Sequence, residues 1–248
     1  MKRSIAIIWV SIMLLSLISC AQKSKTDGSP SPATPSEASI DSAAVIEFSD
    51  LALEAKVREA LNKSEGVITV GDALSLKKLD ISNPYPNTDN RVLIRDISAL
   101  KYFTNLGELL MGGNEISDLR PIAGLINIMS LGIGDCLATD LSPLSGMTQM
   151  KVLTMSRGNQ LENLNALSAM TSLEQLEAKE IGLTDISALA KLTSIWELQL
   201  SGNRITDISP LSGLTGLKTL LLSGNQISDY HPLKEIYPEL TIYDFEID

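Results

Sequence analysis

From Leu76 onward, apolar positions return every 22 residues. The clearest copy runs Ile195, Leu198, Leu200, Ile205, Ile208, Leu211 and Leu214, with Asn203, Asp207 and Pro210 between them. The next copy starts at Leu217 and repeats the pattern through Leu220, Leu222, Asn225, Ile227, Asp229, Pro232 and Leu233. Others begin at Leu76, Leu106, Ile128, Met150 and Leu173. The Met150 copy has an extra residue near Arg157-Gly158, and the first copy has an insertion, Pro84–Arg91. Each unit opens L-x-x-L-x-L, which predicts a short strand with alternate side chains inward. Leu240, Tyr243 and Phe245 predict one last strand. Ahead of the repeats the period changes. Leu53, Val57 and Leu61 share one helical face, Ser49 or Asp50 can cap its start, and Gly66 follows its end. Glu54 and Arg58 form an i,i+4 pair assigned to the exposed side.

One such unit cannot fold alone, because about seven aliphatic side chains do not offset the ordering of 22 backbones. Stacked units share their apolar faces and pair strand to strand. The fold expected is α/β: a leucine-rich repeat solenoid with a parallel β-sheet on the concave face, short 3₁₀ turns on the convex face and an N-terminal α-helical cap. The Asn column (Asn114, Asn159, Asn203, Asn225) is placed to satisfy backbone groups after each strand, and Cys136 falls in it as a buried structural thiol. Asp96, Asp118, Asp140, Asp185, Asp207 and Asp229, with Asn163 once, form a second column. Stacked carboxylates suggest calcium. The other oxygen ligands and glycines of a calcium loop are missing, so each Asp is read as a cap on its convex turn.

The N-terminus reads as an address. Lys2 and Arg3 precede an apolar run, Ile5 to Ile18. At about 14 residues it is short of the roughly 20 that span a bilayer. It ends in Leu17-Ile18-Ser19-Cys20, which resembles the lipobox of bacterial lipoproteins, whose cysteine is lipidated and becomes the mature N-terminus. The expected organisation is a signal peptide over 1–19, lipidated Cys20 and a Ser/Pro/Thr linker over 20–44, and a cap over 45–75. Seven repeats over 76–239 and a closing strand over 240–248 complete it.

The cap Phe48-x-Asp50-x-x-Leu53-Glu54-x-x-Val57-Arg58-x-x-Leu61-Asn62-Lys63, followed by 22-residue repeats, resembles the internalin family. The resemblance spans Phe48 to Asp248. It implies a curved solenoid on a cell surface that grips a partner protein in its concave face. It does not carry over a role in host-cell invasion.

A net charge of −10 argues against nucleic acid. One histidine and two cysteines supply no His/Cys zinc set. His231 lies on the convex side without a repeated partner, so no enzyme, metal or cofactor is expected. The residues between the inward leucines face outward, about 28 in all, against roughly 20–30 a side in a standard interface. Trp196 is the expected anchor, with Leu110, Met129, Val152 and Leu221 as apolar contacts. Glu174, Glu177 and Glu197, with Gln199 beside them, form an acidic neighbourhood for a basic partner. Tyr85 marks the tip of the first-repeat insertion. The function expected is a monomeric, non-enzymatic lipoprotein, held by its lipid on the extracytoplasmic side of a bacterial membrane and binding a protein through the concave face. The alternative is an envelope structural or adhesion protein that binds glycan or cell wall. Carbohydrate faces present several aromatics, and this face has one.

Overall fold

The structure, a computed structural model, describes residues 41–84, 92–161 and 163–247. Cys20, the signal segment and Tyr85 lie outside the described residues. The centre is one parallel sheet whose spatial order is the chain order. Its strands are β1 (Lys78–Asp80), β2 (Glu108–Leu110), β3 (Ser130–Gly132), β4 (Val152–Thr154), β5 (Gln175–Glu177), β6 (Glu197–Gln199), β7 (Thr219–Leu221) and β8 (Ile242–Tyr243). The register is constant, so Leu79, Leu109, Leu131, Leu153, Leu176, Leu198 and Leu220 fall in one row. All seven are buried. This is the predicted solenoid, one parallel sheet of eight short strands.

Each repeat closes its convex side with a 3₁₀ turn, such as Arg120–Ile122, Ser142–Leu144 and Ser209–Leu211. Proline sits in the first turn of each of these, where its missing N–H costs nothing and its fixed φ suits the turn. The aspartate column holds the turns. The Oδ1 atoms of Asp96, Asp118, Asp140, Asp185, Asp207 and Asp229 each accept the backbone N–H two residues on, at 2.7–2.9 Å, and Asn163 does the same for Asn165. These hydrogen bonds hold the carboxyls of Asp140, Asp207 and Asp229 below the usual range, and at Asp96 the Ser49 hydroxyl and then the Ser98 N–H do the same. For Asp118, the Arg120 side chain and then its N–H lower it to about 2. Among the described residues no group of three or more His, Cys, Asp or Glu could hold a metal ion.

The asparagine column bridges consecutive repeats from inside. Asn203 accepts the N–H groups of Ile181 and Leu183, both at 3.1 Å, and donates to Ala178 O (2.7 Å) and Leu200 O (2.8 Å). Asn114 does the equivalent for Ile94, Ile81 and Met111, and Asn159 for Ala138, Ile133 and Met155. Cys136 is fully buried in the same column and donates to Met111 O. Burial pushes its thiol up to about 11, which keeps it protonated and unreactive.

The N-terminal end is closed by α1 (Leu51–Leu61) and α2 (Val70–Ser75). Asp50 is the N-cap of α1, accepting from Ala52 and Leu53, while its other oxygen accepts Arg95 N and Asp96 N of the first repeat. Ser49 donates to Asp96 instead of capping. The Glu54–Arg58 pair is present at 2.7 Å, but both side chains are half-buried against the cap. The described residues 41–44 fall inside the segment assigned to the linker. Ser42 O and Ala44 O accept the N–H groups of Gly71 and Val70, which ties these residues to the first turn of α2. At the other end Tyr230, Tyr237, Tyr243 and Phe245 pack ring to ring, with Tyr230 stacked on Phe245 at 5.1 Å. Ile242 and Tyr243 stay exposed on the outer strand.

Candidate protein-binding face

Three-residue strands put two side chains per repeat on the open face and one inside. One outward row reads Lys78, Glu108, Ser130, Val152, Gln175, Glu197 and Thr219; the other reads Asp80, Leu110, Gly132, Thr154, Glu177, Gln199 and Leu221. The residue before each strand forms a lower rim through a backbone ladder that runs Lys77, Gly107, Met129, Lys151, Glu174, Trp196 and Lys218. Trp196 and Met129 are each 38% exposed, so both point outward as expected. Leu110, Val152 and Leu221 are half-buried on the face. Two positions expected to be open are covered. Thr219 is buried, and so is Gly132, where a Cβ would lie 3.0 Å from Leu110 Cδ2 and 3.2 Å from Thr154 Oγ1.

The acidic neighbourhood is less acidic than its sequence. Glu174 is held by Lys151 at 2.7 Å, and Glu177 by Lys179 at 2.9 Å with a further hydrogen bond from Ser156. Neither partner was read from the sequence: Lys151 lies one repeat before Glu174, and Lys179 two residues beyond Glu177. Glu197 is different. Gln175 donates to its Oε2 (3.1 Å) and Gln199 to its Oε1 (2.5 Å), and both donors are neutral. A dimple of about 110 Å³ opens here, lined by Val152, Thr154, Gln175, Glu177, Glu197 and Gln199. A larger cavity of about 450 Å³ lies on the convex side beside Asp140, Ser142 and Asn163. There the side-chain oxygens of Asp140 and Asn163 accept hydrogen bonds from their own turns. His231 stands exposed with Nδ1 2.7 Å from Asp229 Oδ1 on the same convex side.

An upper rim was also missed. From the second repeat on, the eighth position adopts left-handed backbone, and Gly113, Gly202 and Gly224 occupy it with φ of 71–73°. In the three middle repeats Asp135, Arg157 and Glu180 stand there with φ of 55–57°. Side chains other than Asn and Asp adopt that region at a cost of roughly 1–2 kcal/mol. Asp135 and Arg157 meet as a two-pronged ion pair at 3.1 and 3.2 Å. The signal lay in the sequence as a glycine column broken three times in a row.

The family model for leucine-rich repeats (two copies) matches residues 197–235. The crystal structure of internalin C2 from Listeria monocytogenes is 30% identical, with 79% of this chain and 93% of that one covered and a TM-score of 0.67. A leucine-rich repeat protein of Leptospira interrogans is 21% identical over 71% of this chain and 44% of its own, with a TM-score of 0.61, and shares the fold. Comparison with curated protein sequences finds no match.

Proposed function

Because the chain belongs to the internalin-like leucine-rich repeat proteins, we propose that it is a non-enzymatic, lipid-anchored surface protein that binds a partner protein through the open face of its sheet. The observation that carries this reading is the contrast between the two sides of each strand. Inward positions repeat almost unchanged as buried leucine, whereas outward positions change character from repeat to repeat. A face that served only stability would repeat as the core does. Trp196, Met129, Leu110, Val152 and Leu221 supply apolar contact, and Glu174, Glu177, Glu197 and Gln199 supply polar contact, a mixture suited to a protein surface.

Anchoring rests on the sequence: a basic start, a short apolar run and Cys20 at its end. Among the described residues no helix is long and apolar enough to cross a membrane. Chemical crosslinking on intact cells tests binding. Wild-type chain should capture a specific protein that a Trp196→Ala/Glu197→Lys variant of equal thermal stability does not. Equal capture by both, or capture of wall polymer alone, would overturn the reading. Metabolic labelling with an acyl-chain probe tests the anchor, and the label should be lost in Cys20→Ser.

A further inference from the structure

We propose that the partner inserts an arginine side chain at Glu197, and that this contact selects the partner. The proposal rests on the sheet face being the binding surface. Three glutamates, Glu174, Glu177 and Glu197, share this part of the face with two lysines, Lys151 and Lys179. One negative charge is left over, and the hydrogen bonds locate it. Both lysines are engaged by the other two carboxylates, and Lys179 also donates to Gln199 Oε1 at 3.1 Å. That bond turns the Gln199 amide so that its NH₂ meets Glu197. The carboxylate is thereby fixed in place by neutral groups while its charge stays unmatched.

The free acceptor positions on Glu197 specify the shape of its ligand. An ionised carboxylate offers about two acceptor positions on each oxygen. Gln175 uses one on Oε2 and Gln199 uses one on Oε1. One remains on each oxygen, and a guanidinium fork brings two N–H donors, one for each. A lysine fills only one of them as a point charge. The dimple of about 110 Å³ has room for such a head group, since a water takes roughly 30 Å³. Val152 lines it on one side and offers an apolar surface for the methylene stem of the arginine. An acidic or neutral side chain placed there gains neither the charge nor the fork.

The test needs no knowledge of the natural partner. A random peptide library displayed on phage is selected against the full chain. Clones blocked by Thr154→Trp, a neutral change that fills the dimple, are taken as face-directed. The expected result is that these clones carry an arginine. Its replacement by norleucine should weaken binding about tenfold or more in wild type and under about twofold in Glu197→Gln, since one charged hydrogen-bonded contact is worth about that factor. Face-directed clones that lack arginine, or that ignore Glu197→Gln, would overturn the proposal and leave the face as a binding surface. If no clone is blocked by Thr154→Trp, the face itself is the wrong surface, and the proposal falls with it. Thermal melts of both variants confirm that they fold.

Discussion

Replacing Asn203 by alanine tests whether side-chain bridging holds the units together. Asn203 is 4% exposed and makes four hydrogen bonds to main-chain groups of two repeats. In Asn203→Ala, Leu200 O keeps a donor, because Asn225 Nδ2 also reaches it at 2.9 Å. The N–H groups of Ile181 and Leu183 and the carbonyl of Ala178 lose theirs. A buried polar group left unsatisfied costs roughly 1–3 kcal/mol, so about 4 kcal/mol is expected after some relaxation. Asn225→Ala is the control. That residue is half-buried in the last repeat, where water can replace its bonds to Ile205, Leu200 and Leu222, and the expected cost is about 1–2 kcal/mol. Asn203→Asp should be at least as damaging as alanine at neutral pH, since it aims a carboxylate at two carbonyls. Urea unfolding followed by far-UV circular dichroism measures all three. A cost under about 1 kcal/mol for Asn203→Ala, or one no larger than for Asn225→Ala, would refute the bridging role.

Acid should destabilise the protein through the aspartate column. The folded-state carboxyls of Asp96, Asp118, Asp140, Asp207 and Asp229 are lowered, so their stabilisation is present above the unfolded value of 3.8 and is lost as pH falls through the folded values, about 2 for Asp118. The urea midpoint should therefore hold from pH 7 down to about 5 and drop between about 4 and 2; a flat profile would mean the turns do not need the charge. Glu180→Gly, at φ 57°, should raise stability by up to about 1 kcal/mol by removing left-handed strain, partly offset by glycine's extra freedom when unfolded. No gain in melting temperature would show that the Glu180 backbone is not strained. Gly113→Ala should cost about 3 kcal/mol or more, because its Cβ would fall 2.1 Å from Asn83 O as well as at positive φ. Gly182→Ala, with the same backbone sign and no atom within 4 Å, should cost only about 1–2 kcal/mol, and equal losses would discount the steric argument.

The parts of this molecule that were legible in the sequence are those the repeat writes many times. Strand positions, the buried leucine row, the asparagine bridges and the aspartate caps each recur in most units, so period and spacing define them. The α2 helix was not read. It has six residues, too few to show a helical period, and its start is marked only by the Thr69–Asp72 capping box. The neutralisation of Glu174 and Glu177 was not read either. Lys151 reaches Glu174 only once the repeats are in register, and the extra residue at Arg157-Gly158 moves that register from 22 to 23 residues, as the Val152–Gln175 pairing shows. The tie of Ser42 and Ala44 to α2 was hidden because both contribute carbonyls, and any residue type has those.

The separation of roles between the two sides of each strand explains how such a face can carry an unmatched charge. Neighbouring strands lie about 4.8 Å apart, so outward residues at the same position of successive repeats are close neighbours, and like charges there would repel. Neither outward row places two like charges side by side. Lys78 stands beside Glu108, Glu177 beside Thr154 and Gln199, and Glu197 beside Gln175 and Thr219. Lys78 and Glu108 close an ion pair at 2.7 Å, so that end of the face is neutralised internally. At Glu197 the neighbours are amide and hydroxyl side chains, which leave the charge intact without repelling it. The inward leucine row bears the stability of the array whatever stands opposite, and an internal lysine at position 175 or 219 would satisfy Glu197 without disturbing that row. That Gln175 and Thr219 stand there instead leaves the charge available to a partner.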